Sequence, residues 1–171
     1  MIAEMQSWVD KGLVPGATAA VVSPGGPLSA AVGADGQGKQ LQGTSGMALG
    51  HLTQTFVAAE ALLLAEQGKL DLDVPASTYV PIRQIDNGAT MRQLLAQRSG
   101  VPDPGSKPYV SLYTEPDAHW STAQALAPVP KSTAPPGGGF SENAANYLLA
   151  GLVIDKITGR STAAAIDGDL W

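Results

Sequence analysis

The sequence has 171 residues, of which 44% are hydrophobic and 15% charged, a composition that predicts a folded core and argues against extensive disorder. Its net charge of -5, with 10 basic and 15 acidic residues and no run of Lys or Arg, argues against binding to nucleic acid or to an anionic membrane surface. The chain has no cysteine, which excludes disulfides, thiolate nucleophiles and zinc sites built on Cys.

The start of the chain and its apolar runs predict neither export nor insertion into a membrane. No basic segment followed by an apolar stretch opens the sequence, so we expect no signal peptide. The apolar run at 61–65 is far too short to span a bilayer, and we therefore expect a cytoplasmic protein. The 20 glycines and 13 prolines cluster in stretches that we expect to be loops, at 24–27, 33–46, 101–108 and 128–139.

The first part of the chain predicts a helix followed by a β-hairpin. Apolar residues recur at helical spacing over 2–11, and Gly12 would end that helix. The segment GATAAVVS at 16–23 has the apolar character of a short buried strand, and a second strand is predicted over 28–32. The Pro-Gly-Gly-Pro turn between them predicts that the two strands form a hairpin.

The rest of the chain predicts mainly helices. The clearest helix spans 51–67, and Gly68 would end it. Its predicted apolar face consists of Phe56, Ala59, Leu63 and Leu64. Further helices are predicted over 90–97, 122–127, 144–157 and 161–166. The fold class is therefore α+β, with too few strands to make a normal sheet alone.

Four segments of the chain, in order, carry motifs of a known family. They are VPGA at 14–17, TFVAA continuing to EQGKLDLD at 55–73, MRQLLAQRSGVP at 91–102, and PPGGGFS, YLLAG and ITGRS within 135–161. Together they resemble the serine β-lactamase and D-alanyl-D-alanine carboxypeptidase family, which includes penicillin-binding proteins, class C β-lactamases and related esterases. The resemblance implies a single, truncated β-lactamase/transpeptidase-like domain over 1–171, with a helix and hairpin over 1–50 and a mainly helical lobe over 51–171.

The resemblance also implies where acyl-serine chemistry would be located. The family uses Ser-x-x-Lys at the start of the long helix, a Tyr-x-Asn pair from a later loop, and a Lys-Thr-Gly or His-x-Gly strand near the C-terminus. Here His51 and Gln54 occupy the Ser and Lys positions, while Glu142 and Ala144 occupy the Tyr and Asn positions. No Lys has a Ser three residues before it, and the chain ends at Trp171, before the family's last strands would begin. We therefore expect that acyl-serine hydrolysis is lost.

The residues that replace the family's motif suggest acid–base chemistry. His51 and Gln54 share one face at a helix N-terminus, where the helix dipole favours the neutral imidazole. If the family geometry holds, Glu142 faces His51 across the pocket and the two form an acid–base couple, while Gln54 orients a carbonyl or an amide. The hypothesis is a cofactor-free enzyme that acts on a small molecule by proton transfer, as in a cyclisation, an elimination or an isomerisation.

Each of these residues also has a structural interpretation. His51 would cap its helix, Glu142 would interact favourably with the dipole of the helix that follows it, and Gln54 would be a solvated helix residue.

The candidate ligand-binding residues are Tyr109, Tyr113, Trp120 and Asn143. The aromatic residues would equally serve as anchors that hold a loop. His119 is interpreted as structural or incidental, and two histidines far apart in sequence predict no metal site.

The uncovered surface of the predicted hairpin indicates that the protein binds a partner. In the related proteins later strands lie beside it, and without them it would expose an edge and an apolar face. We therefore expect a homodimer or higher oligomer, or a separate partner chain that covers the hairpin. Two other interpretations of function stay open, namely a non-catalytic pseudoenzyme that binds a ligand or a partner, and a half-protein that works only with a second chain.

Overall fold

The N-terminal part of the chain forms a helix and a hairpin. In the computed structural model, which describes residues 1–105, 114, 118 and 120–171, Met1–Leu49 is one compact unit. Helix α1 (Ile2–Asp10) is followed by strands β1 (Gly16–Ser23) and β2 (Gly26–Gly33), which pair antiparallel. The helix buries Met5 and packs against β2. The predicted helix and hairpin are therefore confirmed.

The two ends of the hairpin differ in how well they are covered. At the base, Gly33 has φ +72, and a Cβ there would lie 2.3 Å from the carbonyl oxygen of Pro15, so this close approach requires glycine. At the outer end Val21 lies opposite Leu28, while Val22 is 85% exposed. Within the described residues no third strand joins this sheet. The hairpin thus exposes both an edge and apolar side chains, as expected.

The second unit, Gly50–Trp171, is mainly helical. Its helices are α2 (Thr53–Glu66), α3 (Met91–Leu95), α4 (Thr122–Leu126), α5 (Ala144–Thr158) and α6 (Thr162–Asp169). Short 3-10 turns lie at Gly50–Leu52, Ala76–Thr78 and Arg83–Ile85. Helix α5 packs against α2, α3, α4 and α6, and its Leu149 and Ile154 are fully buried in the core. The predicted α+β class, with a two-stranded hairpin and a helical lobe, is confirmed.

The buried face of α2 differs from the predicted one. The buried residues of this helix are Val57, Glu60, Ala61 and Leu64. Of the predicted face only Leu64 is among them, and Phe56, Ala59 and Leu63 are half-buried. The reason is that α2 carries apolar residues on all of its sides, so their spacing does not single out one face.

No helix of the described chain is long and apolar enough to cross a membrane.

Candidate functional site

The beginnings of α2 and α5 hold the residues that the sequence singled out. His51 lies in the 3-10 turn that leads into α2, and Gln54 lies in the first turn of that helix. The N-cap of α2 is Leu52, with no side-chain hydrogen bond, so His51 does not cap the helix. Glu142 lies just before Asn143, the N-cap of α5. Because α2 and α5 pack against each other, the helix starts can meet.

His51 and Glu142 are in contact. The Nδ1 atom of His51 lies 3.2 Å from Oε1 of Glu142, and the two side chains are 70% and 53% exposed. When the imidazole is neutral, a hydrogen on Nδ1 is donated to the carboxylate and leaves the lone pair of Nε2 free. In that state Nε2 can chemically accept a hydrogen bond or a proton.

A cavity of about 350 Å³ lies beside this pair, between the starts of α2 and α5. Its lining residues are Gly50, His51, Thr53, Gln54, Val57, Ala144, Tyr147 and Leu148. The polar side chains come mainly from the turn that begins α2, and the apolar ones come mainly from α5. The Tyr147 hydroxyl donates a hydrogen bond to the carbonyl oxygen of Leu95 at 2.9 Å, and burial raises the pKa of this phenol. Tyr147 is therefore a protonated wall residue that is already hydrogen-bonded.

Gln97 connects this cavity to the start of α5 and was not singled out by the sequence. It is nearly buried, with φ +56, and its Oε1 accepts hydrogen bonds from the backbone N–H of Asn143 and from Nδ2 of Asn146. Its Nε2 donates to Oε1 of Gln54 at 3.4 Å. Asn146 in turn accepts a hydrogen bond from the hydroxyl of Ser99. The only sequence signal for this network is a polar Gln-Arg-Ser stretch directly after the apolar residues of α3.

The candidate ligand-binding residues are not gathered at the cavity. Asn143 is buried, its Oδ1 accepts from the backbone of Asn146, and its Nδ2 donates to the carbonyl oxygen of Val101, so it holds the start of α5 instead of facing a ligand. Trp120 is exposed just before α4 and does not line this cavity. Tyr109, Tyr113 and His119 lie outside the described residues. In the part of the chain described, no group of three or more His, Asp or Glu side chains could hold a metal ion.

Comparison with protein families decides the relationship that the motifs suggested. Residues 3–171 match the sequence model of the family described as Beta-lactamase. This chain belongs to the beta-lactamase family. The match extends over both units, so the family relationship covers the hairpin as well as the helices that form the cavity.

Individual proteins that are similar to this chain match it over only part of their own length. Protein flp of Staphylococcus aureus strain MW2 is 30% identical over 177 residues, which cover 95% of this chain and 34% of flp. The structure of a D-stereospecific amidohydrolase from Streptomyces sp. matches with a TM-score of 0.76 and 27% identity, over 98% of this chain and 53% of the amidohydrolase.

The octameric penicillin-binding protein homologue from Pyrococcus abyssi gives a TM-score of 0.80 at 22% identity, over 99% of this chain and 42% of that protein. The fold is therefore β-lactamase/transpeptidase-like. The chain spans about a third of the length of flp and about half that of the amidohydrolase.

Proposed function

We propose that this chain forms a small-molecule site in which His51 and Glu142 act as an acid–base couple. The observation that carries the proposal is the 3.2 Å contact between Nδ1 of His51 and Oε1 of Glu142, beside a cavity that Gln54 also lines. Nε2 of His51 accepts a proton from the bound molecule, and the carboxylate of Glu142 stabilises the imidazolium that results. The reaction class is proton transfer, as in a cyclisation, an elimination or an isomerisation.

Loss of acyl-serine hydrolysis is part of this proposal. A serine nucleophile needs a base within hydrogen-bond reach, which in this family is the lysine of the Ser-x-x-Lys motif. Neither a serine nor a lysine is among the described residues that line the cavity. The relative from Streptomyces is described as a D-stereospecific amidohydrolase, and we propose that this chain does not share that activity.

The test uses a small ketone with acidic carbon protons, 2-indanone, as a probe of proton abstraction. We expect the protein to accelerate the exchange of these protons for deuterium, followed by proton NMR in D₂O. His51→Ala and Glu142→Ala should each reduce the acceleration by about 100-fold, the lower end of what general acid–base catalysis contributes. Glu66→Ala, an exposed change on the same helix as Gln54, is the control and should leave the rate unchanged. Equal exchange in wild type and in the His51 variant contradicts the proposal.

A second candidate is a ligand-binding site without catalysis. The exposure of the His51 and Glu142 side chains favours it, because water screens a charge pair that is not enclosed. Under this proposal 2-indanone binds, as seen by shifts of backbone amide signals around the cavity, while its deuterium exchange stays at the rate in buffer. The same two measurements therefore separate binding from proton transfer.

A third candidate is a half-protein that is active only when a second chain supplies the rest of the fold. The exposed apolar side chains at the outer end of the hairpin support it, because a second chain would cover them. Self-association is the related proposal for assembly, and the relative from Pyrococcus abyssi is described as octameric. If a second chain completes the site, the rate of 2-indanone exchange per molecule of this chain should rise with the concentration of the second chain. If this chain acts alone, that rate should not change.

A further inference from the structure

We propose that Gln97 is a positioning residue that orients the Gln54 carboxamide, so that the cavity recognises a hydrogen-bond acceptor such as the carbonyl group of a ketone or an amide. This inference rests on the proposed function in that it concerns the same cavity. It goes further in two respects, because it assigns a polarity to the Gln54 side chain and names the residue that sets it.

The polarity follows from a backbone group that can only donate. The N–H of Asn143 lies 3.1 Å from one terminal atom of the Gln97 carboxamide, and that atom must therefore be the oxygen. The other terminal atom of Gln97 is then the nitrogen, which lies 3.4 Å from Gln54 and can only donate. The atom of Gln54 that it meets must be Oε1. The two hydrogens on Nε2 of Gln54 remain for a ligand in the cavity.

Gln97 cannot easily turn over and reverse this polarity. Its Oε1 also accepts from Nδ2 of Asn146 at 2.5 Å, and the Oδ1 of Asn146 is held by the hydroxyl of Ser99. A flipped Gln97 would place its own NH₂ group against two donors in a buried position, which removes two hydrogen bonds and leaves donors unsatisfied. The backbone is held as well, because the carbonyl oxygen of Gln97 accepts a hydrogen bond from the N–H of Ser141 at 2.9 Å.

The cavity then has a definite pattern of donors and acceptors. Gln54 presents a donor, while neutral His51 presents an acceptor at Nε2 because its Nδ1 faces Glu142. Apolar walls from Val57, Ala144 and Leu148 complete the lining. The matching ligand is a small, mainly apolar molecule whose carbonyl oxygen accepts from Gln54 and whose acidic proton faces His51. Such a carbonyl also makes the neighbouring proton acidic, which fits the proton transfer proposed above.

The test compares two molecules of the same shape, 2-indanone and indane, which differ in the carbonyl group. Wild-type protein should bind 2-indanone about 5-fold more tightly, the value of one ordinary hydrogen bond, measured by NMR titration. In Gln97→Glu the carboxylate still accepts from Asn143 and Asn146 and now also accepts from Gln54, whose amide turns its oxygen to the cavity. The affinity ratio should then fall to about 1.

Two further variants make the result specific. Gln54→Leu removes the donor with little change in volume and should also bring the ratio to about 1, which tests the inference even if Gln97→Glu does not fold. Gln67→Glu places the same charge change at an exposed position just after α2 and should keep the wild-type ratio. The side-chain NH₂ signals of Gln54 should shift with 2-indanone and stay in place with indane.

Equal affinity of the wild type for the two probes, or a ratio that survives in folded Gln97→Glu, overturns the inference. Its failure is distinct from failure of the acid–base proposal. A carbonyl preference that depends on Gln97, found together with no deuterium exchange, supports the recognition of a carbonyl and contradicts proton transfer. Exchange that depends on His51, found without any carbonyl preference, supports proton transfer and contradicts the role of Gln97.

Discussion

Glu60 is a charged residue at a position where a core helix normally has an apolar one. It is fully buried on α2, and in the described part of the chain neither of its carboxylate oxygens accepts a hydrogen bond. Burial raises the pKa of Glu60 and the nearby Asp169 raises it further, while Arg160 and Lys69 act in the opposite direction. An isolated carboxylate loses its hydration when it is buried, so the folded state favours protonated Glu60.

We expect Glu60→Gln to stabilise the protein at neutral pH but not in acid. Below the ordinary glutamate pKa the carboxyl is protonated in both states, so it does not affect stability through ionisation. As the pH rises from there to the raised pKa of the folded state, the unfolded state loses its proton first and stability falls. The variant should gain about 1 kcal/mol at about pH 7 and nothing at about pH 4.

Thermal unfolding followed by circular dichroism at the two pH values measures this difference. Glu66→Gln is the matched control, because Glu66 is exposed near the end of the same helix and should change little at either pH. A Glu60→Gln variant whose midpoint falls by the same amount at both pH values would show that Glu60 is a stabilising residue and not a strained one.

The site residues could be predicted only where the family's motif fixes their position. His51, Gln54 and Glu142 are candidates because of the motif positions that the resemblance implies for them. In the structure His51 contacts Glu142, and Gln54 lines the same cavity. Gln97 could not be predicted, because its partners Gln54 and Asn143 are more than 40 positions away and nothing in the local pattern indicates them. For long-range polar contacts of this kind the packing of helices must be known first.

At the level of secondary structure, local signals predicted the elements better than their orientation. The hairpin and the helix over 2–10 were predicted within a few residues, because glycine and proline mark their ends. The last helix extends to Asp169, beyond the predicted end, because a helix tolerates a glycine such as Gly168 at a modest cost. The buried face of α2 was predicted poorly, because this helix is apolar on all sides and only tertiary packing selects the side that is covered.

The start of α5 is the element that most depends on side-chain hydrogen bonds. Asn143 caps the helix through Asn146 and ties it to Val101, and its own N–H donates to Gln97. We expect Asn143→Ala to lower the free energy of unfolding by about 2 kcal/mol, because a cap is lost and the carbonyl oxygen of Val101 loses a buried partner. Urea unfolding measures the change.

Ser161→Ala is the comparison, since it removes the cap of α6 at an exposed position and should lower stability by about 1 kcal/mol. If Asn143→Ala proves no more destabilising than Ser161→Ala, the buried contact to Val101 contributes nothing to stability. Because Glu142 directly precedes the cap, folded Asn143→Ala should also change the contact between Glu142 and His51, visible in the chemical shifts of the imidazole.

At the scale of the whole molecule, the outer end of the hairpin carries several exposed apolar side chains. A two-stranded sheet is marginally stable alone in water, and α1 is the helix of its own unit that packs on it. Residues directly opposite each other in the sheet share a face, so Val21 and Leu28 lie on one face while Val22 and Pro27 lie on the other. Both faces of the outer end are exposed. A partner that covers one of these faces, or that pairs with an edge strand of the hairpin, would remove apolar surface of the outer end from water.

We expect a second copy of the chain to cover the hairpin, because a two-fold axis lets the same edge and the same apolar face meet their own counterparts. Light scattering at micromolar concentration should give at least twice the mass of one chain. Replacing Val21 and Leu28 together with lysine should bring the mass down to that of one chain, since two like charges on the same face repel across the interface. Lysine at Leu62, an exposed apolar residue on α2, should leave the mass unchanged. A single-chain mass for the wild type would instead favour a different partner chain on the hairpin, because the exposed apolar residues of both faces would remain uncovered.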